Sequence, residues 1–299
     1  MPTAHVNGFS MRWQDGGRGE PVVFIHGGFA SFARTLFDEA DYEWADWERD
    51  FANEFRFITY DRRGCQRSSC PATGYEIEHQ ALDLAGLLDY LDVGSAHVVG
   101  SSAGGPVALA FAARLPERTR SLLLVGTGFL FRDDDPSGAT AIVKEQVRRL
   151  EEEGAEVAFA RRPQGVEVWL EPLWMADEAV ERGERDEFWA RERTLAARAA
   201  EAPIAERVRY YAAELRNIKA YIECSGRGLA PLVRAPTLVL HGERDRAVPL
   251  AWGRELAETI PGAQLHLVAD GSHGLLWRSD KARAIAIGFI RTHVRESGS

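Results

Sequence analysis

Apolar residues along this chain gather in short unbroken runs rather than in alternating rows. Six runs define the pattern: PVVFIHG at 21–27, FRFITYD at 55–61, AHVVGS at 96–101, RSLLLVG at 120–126, APTLVLHG at 235–242 and AQLHLVA at 263–269. Each is too short for a stable helix and is bounded by Gly, Pro or Asp. Runs of this kind predict strands buried on both faces, as in a parallel sheet covered by helices. Helical patterns lie between them, at 75–93, 103–119 and 250–262, the last two closing at Pro or Pro-Gly. In the first of these, Leu82, Ala85, Leu88 and Leu91 recur every third position and are expected near one face. Strand–helix alternation implies an α/β fold with right-handed crossovers. Ahead of it, AHVNGFSMRWQ reads as a hairpin turning at Asn7-Gly8.

The alternation stops after about residue 130. From FRDDDPSGAT to YIECSGRG the chain is rich in Arg, Glu and Ala, and strand-like runs resume only at 235. This predicts one α/β core in two parts, 1–130 and 229–299, with a helical insertion over 131–228. The charge of the insertion reads as solvated helix faces. Its aromatics, among them Trp169, Trp174 and Phe188, are expected to be mainly structural, with some facing the core as pocket walls.

Composition narrows the function. Of 299 residues, 45% are apolar and 27% charged, the balance of an ordinary soluble globular protein. The net charge of −9 is spread along the chain, which disfavours nucleic acid as a partner, because phosphate binding needs a basic face. No run of about 18 apolar residues suggests a membrane span, and the first residues lack the pattern of a signal peptide. Three cysteines, Cys65, Cys70 and Cys224, show no metal-ligand spacing and read as reduced thiols. The expected setting is therefore the cytoplasm, with no metal or cofactor. Oligomeric state is not legible.

Candidate chemistry centres on VVGSSAGG. The frame Gly-x-Ser-x-Gly fits once, as Gly100-Ser101-Ser102-Ala103-Gly104, because a frame on Ser101 would need Gly where Val99 and Ala103 stand. It follows a predicted strand and opens a predicted helix, the setting of a nucleophile elbow. A sharp turn there exposes the central serine, small neighbours avoid clashes, and the helix N-terminus faces developing negative charge. A serine hydroxyl needs a base, and the base needs a carboxylate. Of eight histidines, His273, in the glycine-flanked loop of VADGSHGLLW, is the candidate base. His26 and His241 end strands and are assigned to turn structure; His5, His79, His97 and His293 are assigned to the surface or the core edge, and His266 to an outward strand position. Asp245, after the run at 235–242, is the candidate acid; Asp270 is too close in sequence to His273 and is expected to shape its loop. Gly28 and Ala103 are the candidate backbone N–H donors for an oxyanion, with Phe29 a weaker choice for the first. Phe29, Trp174 and Trp277 are candidate substrate contacts, and Trp44 and Trp47 further aromatic walls.

With these motifs in order, HGG at 26–28, DRRGCQRS at 61–68, GSSAGG at 100–105, HGERDRAVP at 241–249 and GSHG at 271–274, the chain resembles the α/β-hydrolase superfamily with a helical cap. The resemblance implies a mostly parallel sheet of about eight strands with the cap inserted after the sixth. It also implies Ser102 as nucleophile, Asp245 as acid and His273 as base. Two departures stand out. Gln66 occupies the place of the second glycine in Asp-x-Arg-Gly-x-Gly-x-Ser, and Ala103 stands where Met or Gln is common. The expected activity is hydrolysis of a small carboxylic ester or lactone, apolar or aromatic, through an acyl-enzyme. Alternatives are hydrolysis of the C–C bond of a ring-fission product, or a ligand-binding receptor on the same scaffold.

Overall fold

The computed structural model describes residues 2–29, 45–131, 138–163, 170, 172–224 and 226–294. Eight strands form one sheet: β1 (Thr3–Val6), β2 (Phe9–Gly16), β3 (Pro21–Ile25), β4 (Arg56–Tyr60), β5 (Ala96–Ser101), β6 (Thr119–Val125), β7 (Thr237–Gly242) and β8 (Gln264–Val268), in the order β1-β2-β4-β3-β5-β6-β7-β8. The pairs β1–β2 and β2–β4 are antiparallel, and every other pair is parallel. Around them lie α1 (Asp46–Ala52), α2 (Ile77–Tyr90), α3 (Gly104–Arg114), α9 (Leu250–Thr259), α10 (Leu275–Arg278) and α11 (Asp280–Arg291). Between β6 and β7 come α4 (Ala139–Glu153), α5 (Ala155–Ala160), α6 (Pro172–Glu181), α7 (Arg185–Glu201) and α8 (Ile204–Glu223).

The unbroken apolar runs have the expected cause. Successive side chains of a strand point to opposite faces, and here both faces are covered. Val23 and Ile25 of β3 join Leu84, Leu87, Val107 and Phe111 in one core; Val22 and Phe24 join Phe51, Phe57 and Ile290 in the other. Truncating a core leucine such as Leu84 to Ala would cost about 2–5 kcal/mol. The hairpin turns as expected, with Asn7 and Gly8 both at positive φ, 45° and 80°.

Two expectations are corrected. The buried face of α2 is carried by Ile77, Ala81, Leu84, Leu87 and Leu88, whereas Leu82 is 51% exposed. A strict three-residue spacing drifts by about 60° per step around a helix of 3.6 residues per turn, so Leu82 and Leu91 cannot share a face. His97 is not at the surface or core edge but fully buried, because β5 lies inside the sheet between β3 and β6. Its Nδ1 lies 2.8 Å from Ser121 Oγ.

Burial pushes the pKa of His97 down to about 4, with His293 adding to the shift. In the unfolded chain an imidazole titrates near pH ~6.5. Below that pH the unfolded state binds a proton that the folded state refuses, so stability falls as pH drops from 6.5 towards 4. The loss attributable to His97 reaches about 3 kcal/mol at its limit. Urea unfolding at pH 7 and pH 4.5 should therefore show a smaller acid loss for His97→Gln than for wild type. Equal losses would show that His97 does not carry the effect.

Candidate active site

The site forms at the carboxyl ends of the parallel strands, where an open α/β sheet gathers its loops. Ser102 follows β5 directly and has φ +50°. A non-glycine residue in that left-handed region carries about 1–2 kcal/mol of strain. The surroundings hold it there. Ser102 N–H donates to Val125 O at 2.9 Å, and Ser102 O accepts from Gly105 N–H at 2.9 Å and from Thr127 Oγ1 at 2.8 Å. The small residues around it are required by close approach: a Cβ on Gly104 would lie 2.1 Å from Ile25 O, and one on Gly100 would lie 2.6 Å from Ala108 Cβ. The turn thus seats the start of α3 on the end of β3, with the half-buried Ser102 at the bend.

The loops after β7 and β8 supply the other two candidates. Asp245 and His273 are 6% and 7% exposed, and His273 Nδ1 lies 2.9 Å from Asp245 Oδ2. Asp245 Oδ1 accepts the N–H of Val248 at 2.7 Å, so the carboxyl plane is fixed from both oxygens. With Nδ1–H given to Asp245, Nε2 is the nitrogen left for chemistry. His241 backs the acid, 3.6 Å from Asp245 Oδ2, and donates its Nε2–H to Val248 O at 3.0 Å. Burial pushes its pKa down although Asp245 opposes the shift, so His241 stays neutral and structural. Asp270 turns away to Arg244, at 2.5 Å.

The HGG loop is fastened through its carbonyls. His26 Nδ1 donates to Gly27 O at 2.6 Å while its Nε2 accepts the N–H of Arg62 at 3.2 Å. The Arg62 guanidinium donates to Gly28 O, and Phe29 O accepts from Cys65 Sγ and from Asn217 Nδ2. Arg62 is 1% exposed and also donates to Gln80 Oε1 at 3.0 Å and to Tyr221 Oη at 2.8 Å. The Tyr221 hydroxyl in turn donates to Ala103 O. A single buried Arg–Tyr pair therefore holds the carbonyls of both residues expected to supply oxyanion donors. The N–H groups of Gly28 and Ala103 meet no hydrogen-bond acceptor among the described residues.

Ser102, His273, Gly28 and Phe29 all line one cavity of about 580 Å³. Trp47, Phe131, Phe188, Trp252 and Trp277 add aromatic walls, and Arg182, Glu184, Glu187, Arg191 and Arg278 add charge. Of the candidate substrate contacts, Phe29 and Trp277 line this cavity; Trp44 and Trp169 lie outside the described residues, as does the side chain of Trp174. Among the described residues no group of three His, Cys, Asp or Glu side chains is placed to hold a metal ion. No helix among them is long and apolar enough to cross a membrane.

The model of the alpha/beta hydrolase fold family matches residues 20–280. The chain belongs to the alpha/beta hydrolase fold family. As a hydrolase it is similar to a 2-hydroxy-6-oxononadienedioate/2-hydroxy-6-oxononatrienedioate hydrolase of Burkholderia vietnamiensis, 28% identical over 94% of this chain and 91% of that one. Among solved structures it is similar to the enol-lactonase from Burkholderia xenovorans LB400, 25% identical over 99% and 100% of the two chains, with a TM-score of 0.66. It is also similar to Est816, an N-acyl homoserine lactone degrading enzyme, 26% identical over 96% and 100%, with a TM-score of 0.67. These relatives are enzymes acting on small molecules, and this hydrolase is an enzyme of the same kind.

Sequence reasoning missed one residue of this hydrolase that touches both the acid and base loops. Glu178, on α6, is 1% exposed. Its Oε1 accepts the N–H of His273 at 2.7 Å, and its Oε2 accepts the N–H of Arg246, beside Asp245, at 3.0 Å. Arg182, one turn on, lies 2.8 Å away and offsets the buried charge. Nothing local in the sequence marks Glu178, since its partners lie 68 and 95 residues away. Hydrogen bonds to a charged acceptor contribute about 1.5–3 kcal/mol each. Glu178→Ala should therefore speed amide exchange at His273 and Arg246 by tenfold or more while leaving β5 and β6 protected, as read by exchange mass spectrometry. Unchanged exchange at both amides would show that Glu178 does not fasten these loops.

Proposed function

We propose that this hydrolase cleaves a carboxylic ester or lactone through an acyl-enzyme on Ser102. The observation that carries the reading is the convergence of three things on one cavity. These are a strained serine at a strand–helix bend, the histidine of a buried Asp–His pair, and the Gly28 N–H, which like that of Ala103 meets no acceptor among the described residues. In this reading His273 Nε2 takes the Ser102 hydroxyl proton as Oγ attacks the substrate carbonyl. Asp245 holds the ring and stabilises its cation. The N–H groups of Gly28 and Ala103 receive the oxyanion, each donor contributing about 3–4 kcal/mol to the transition state. Collapse expels the alkoxide, which takes the proton from His273; water, activated by the same nitrogen, then releases the acid. With a lactone the alkoxide stays tethered to the acyl chain.

The aromatic walls favour an apolar or aromatic substrate, since Trp47, Phe131, Phe188 and Trp252 offer flat surface next to the bend. The lactone half of the reading is supported by the likeness to the enol-lactonase and to Est816. A second reading, hydrolysis of a C–C bond in a ring-fission product, is favoured by the curated relative at 28% identity over nearly the whole chain. The same three groups serve it, with a carbon leaving group in place of the alkoxide.

The test is steady-state turnover of p-nitrophenyl esters of rising acyl length, of γ- and δ-lactones, and of a coloured 2-hydroxy-6-oxo-dienoate. Wild type should cleave the esters or lactones with the higher kcat/KM, and Ser102→Ala should lose at least a factor of about 10⁴. Preference for the dienoate would transfer the assignment to the second reading. A Ser102→Ala protein keeping half its activity would remove Ser102 from the mechanism.

A further inference from the structure

Gln66 is the one position of the DRRGCQRS segment where this chain departs from the resemblance, and the structure makes that departure costly. Its backbone lies at φ +48°, the left-handed region that glycine occupies without strain. The residue is 6% exposed and lines the same cavity as Ser102 and His273. Its side-chain amide has no hydrogen-bond partner among the described residues and is not among the fully buried polar atoms, so it opens on the cavity it lines. An amide on a cavity wall with no protein partner has both its donors and its acceptor left for a ligand, and backbone strain of this kind clusters at functional sites.

Its neighbour is the polar face of α8. Tyr210 Oη donates to Gln66 O at 3.1 Å, and Asn217 Nδ2 donates to Arg63 O at 3.0 Å, so this face of the helix runs along the 63–66 segment. Glu214 lies between those two on the same face, one turn beyond Tyr210. It is 2% exposed, lines the cavity, and takes the N–H of Leu170 at 2.9 Å through Oε1.

We propose that Gln66, with Glu214 on the same cavity wall, forms a polar subsite, and that the substrate carries a hydroxyl or amide group in addition to the bond that is cleaved. A hydroxyl both donates and accepts, so it can satisfy the Gln66 carbonyl or amino group while facing carboxyl oxygens of Glu214. This deepens the ester or lactone reading and rests on it for the identity of the reacting group. The occupant is thus an ester or lactone of a hydroxylated or acylamino acid or alcohol, not a plain hydrocarbon ester.

Binding to the Ser102→Ala protein tests this without turnover, with the fluorescence of Trp47, Trp252 and Trp277 in the cavity wall as the signal. The probes are matched pairs: methyl hexanoate against methyl 3-hydroxyhexanoate and methyl 6-hydroxyhexanoate, propyl against 2-hydroxyethyl hexanoate, and γ-butyrolactone against its α-acetamido derivative. At least one polar member should bind fivefold or more tighter than its parent. Gln66→Leu should bring that ratio to within twofold of unity. Gln66→Gly removes the amide and the backbone strain together, so it should lose the preference while unfolding at no lower temperature than wild type. No preference in any pair, or a preference that survives both substitutions, overturns the subsite. Ester turnover by wild type without any such preference would leave the ester reading standing and remove the subsite alone. A Gln66-dependent preference in a protein that turns over no ester or lactone would do the reverse.

Discussion

The geometry of the site depends on one close approach, the start of α3 pressed against the end of β3. A side chain on Gly104 would meet Ile25 O at 2.1 Å, so the two backbones touch with nothing between them. That contact holds Ser102 in its left-handed conformation and brings it beside the HGG loop. On Gly27 a Cβ would lie 2.9 Å from Ser102 Cβ. The strand order then does the rest. Because β3, β5, β6, β7 and β8 are consecutive parallel neighbours, their carboxyl ends deliver the HGG loop, the serine, the acid and the histidine along one edge. The strain at Ser102, about 1–2 kcal/mol, is small beside the burial of both sheet faces that maintains this order.

Much of this order is legible in the sequence, for a reason tied to the sheet. A strand covered on both sides is apolar on both faces over most of its length, so β3, β5, β6 and β7 announce themselves as nearly continuous runs, and each chemical candidate stands at a run's end. In Gly100-Ser101-Ser102-Ala103-Gly104, the two glycines are legible because steric crowding leaves no room for a side chain at either position. Where a signal is indirect, the sequence misleads. Three-residue spacing put Leu82 near the buried face of α2, and 51% of it is exposed. His97 looked like a surface histidine because its burial depends on which strands flank β5, which sequence order does not state.

What stayed hidden are contacts between residues far apart in the chain. Arg62 and Tyr221 are separated by 159 residues, and Glu178 and His273 by 95. No periodicity or motif links them, because each pair is brought together only when the segment between β6 and β7 packs on the strand ends. Arg62 illustrates the point. It occupies a variable place in its motif, yet it becomes a fully buried cation that donates to the Gly28 carbonyl, the Gln80 amide oxygen and the Tyr221 hydroxyl. Gln66 had a local signal, its departure from glycine, but its meaning needed the backbone angle and the cavity.

These long-range contacts change how the inserted helices should be understood. They are not a detachable roof over a finished site. Tyr221 and Asn217 of α8 hold carbonyls at Ala103 and Phe29, and Glu178 of α6 holds the backbone of the histidine loop. A shift of either helix that reshaped the cavity would also move groups around the serine, and a displacement of about 1 Å there can cost two orders of magnitude in rate. The helix α7 packs into the core through Leu195 and Ala199 but meets the cavity differently. Glu187, Phe188 and Arg191 line the cavity, and among the described residues none of these three side chains is hydrogen-bonded to the core. Substitutions at those three positions would reshape the cavity wall without breaking a side-chain hydrogen bond to the core, while α6 and α8 are tied to the backbone they hold.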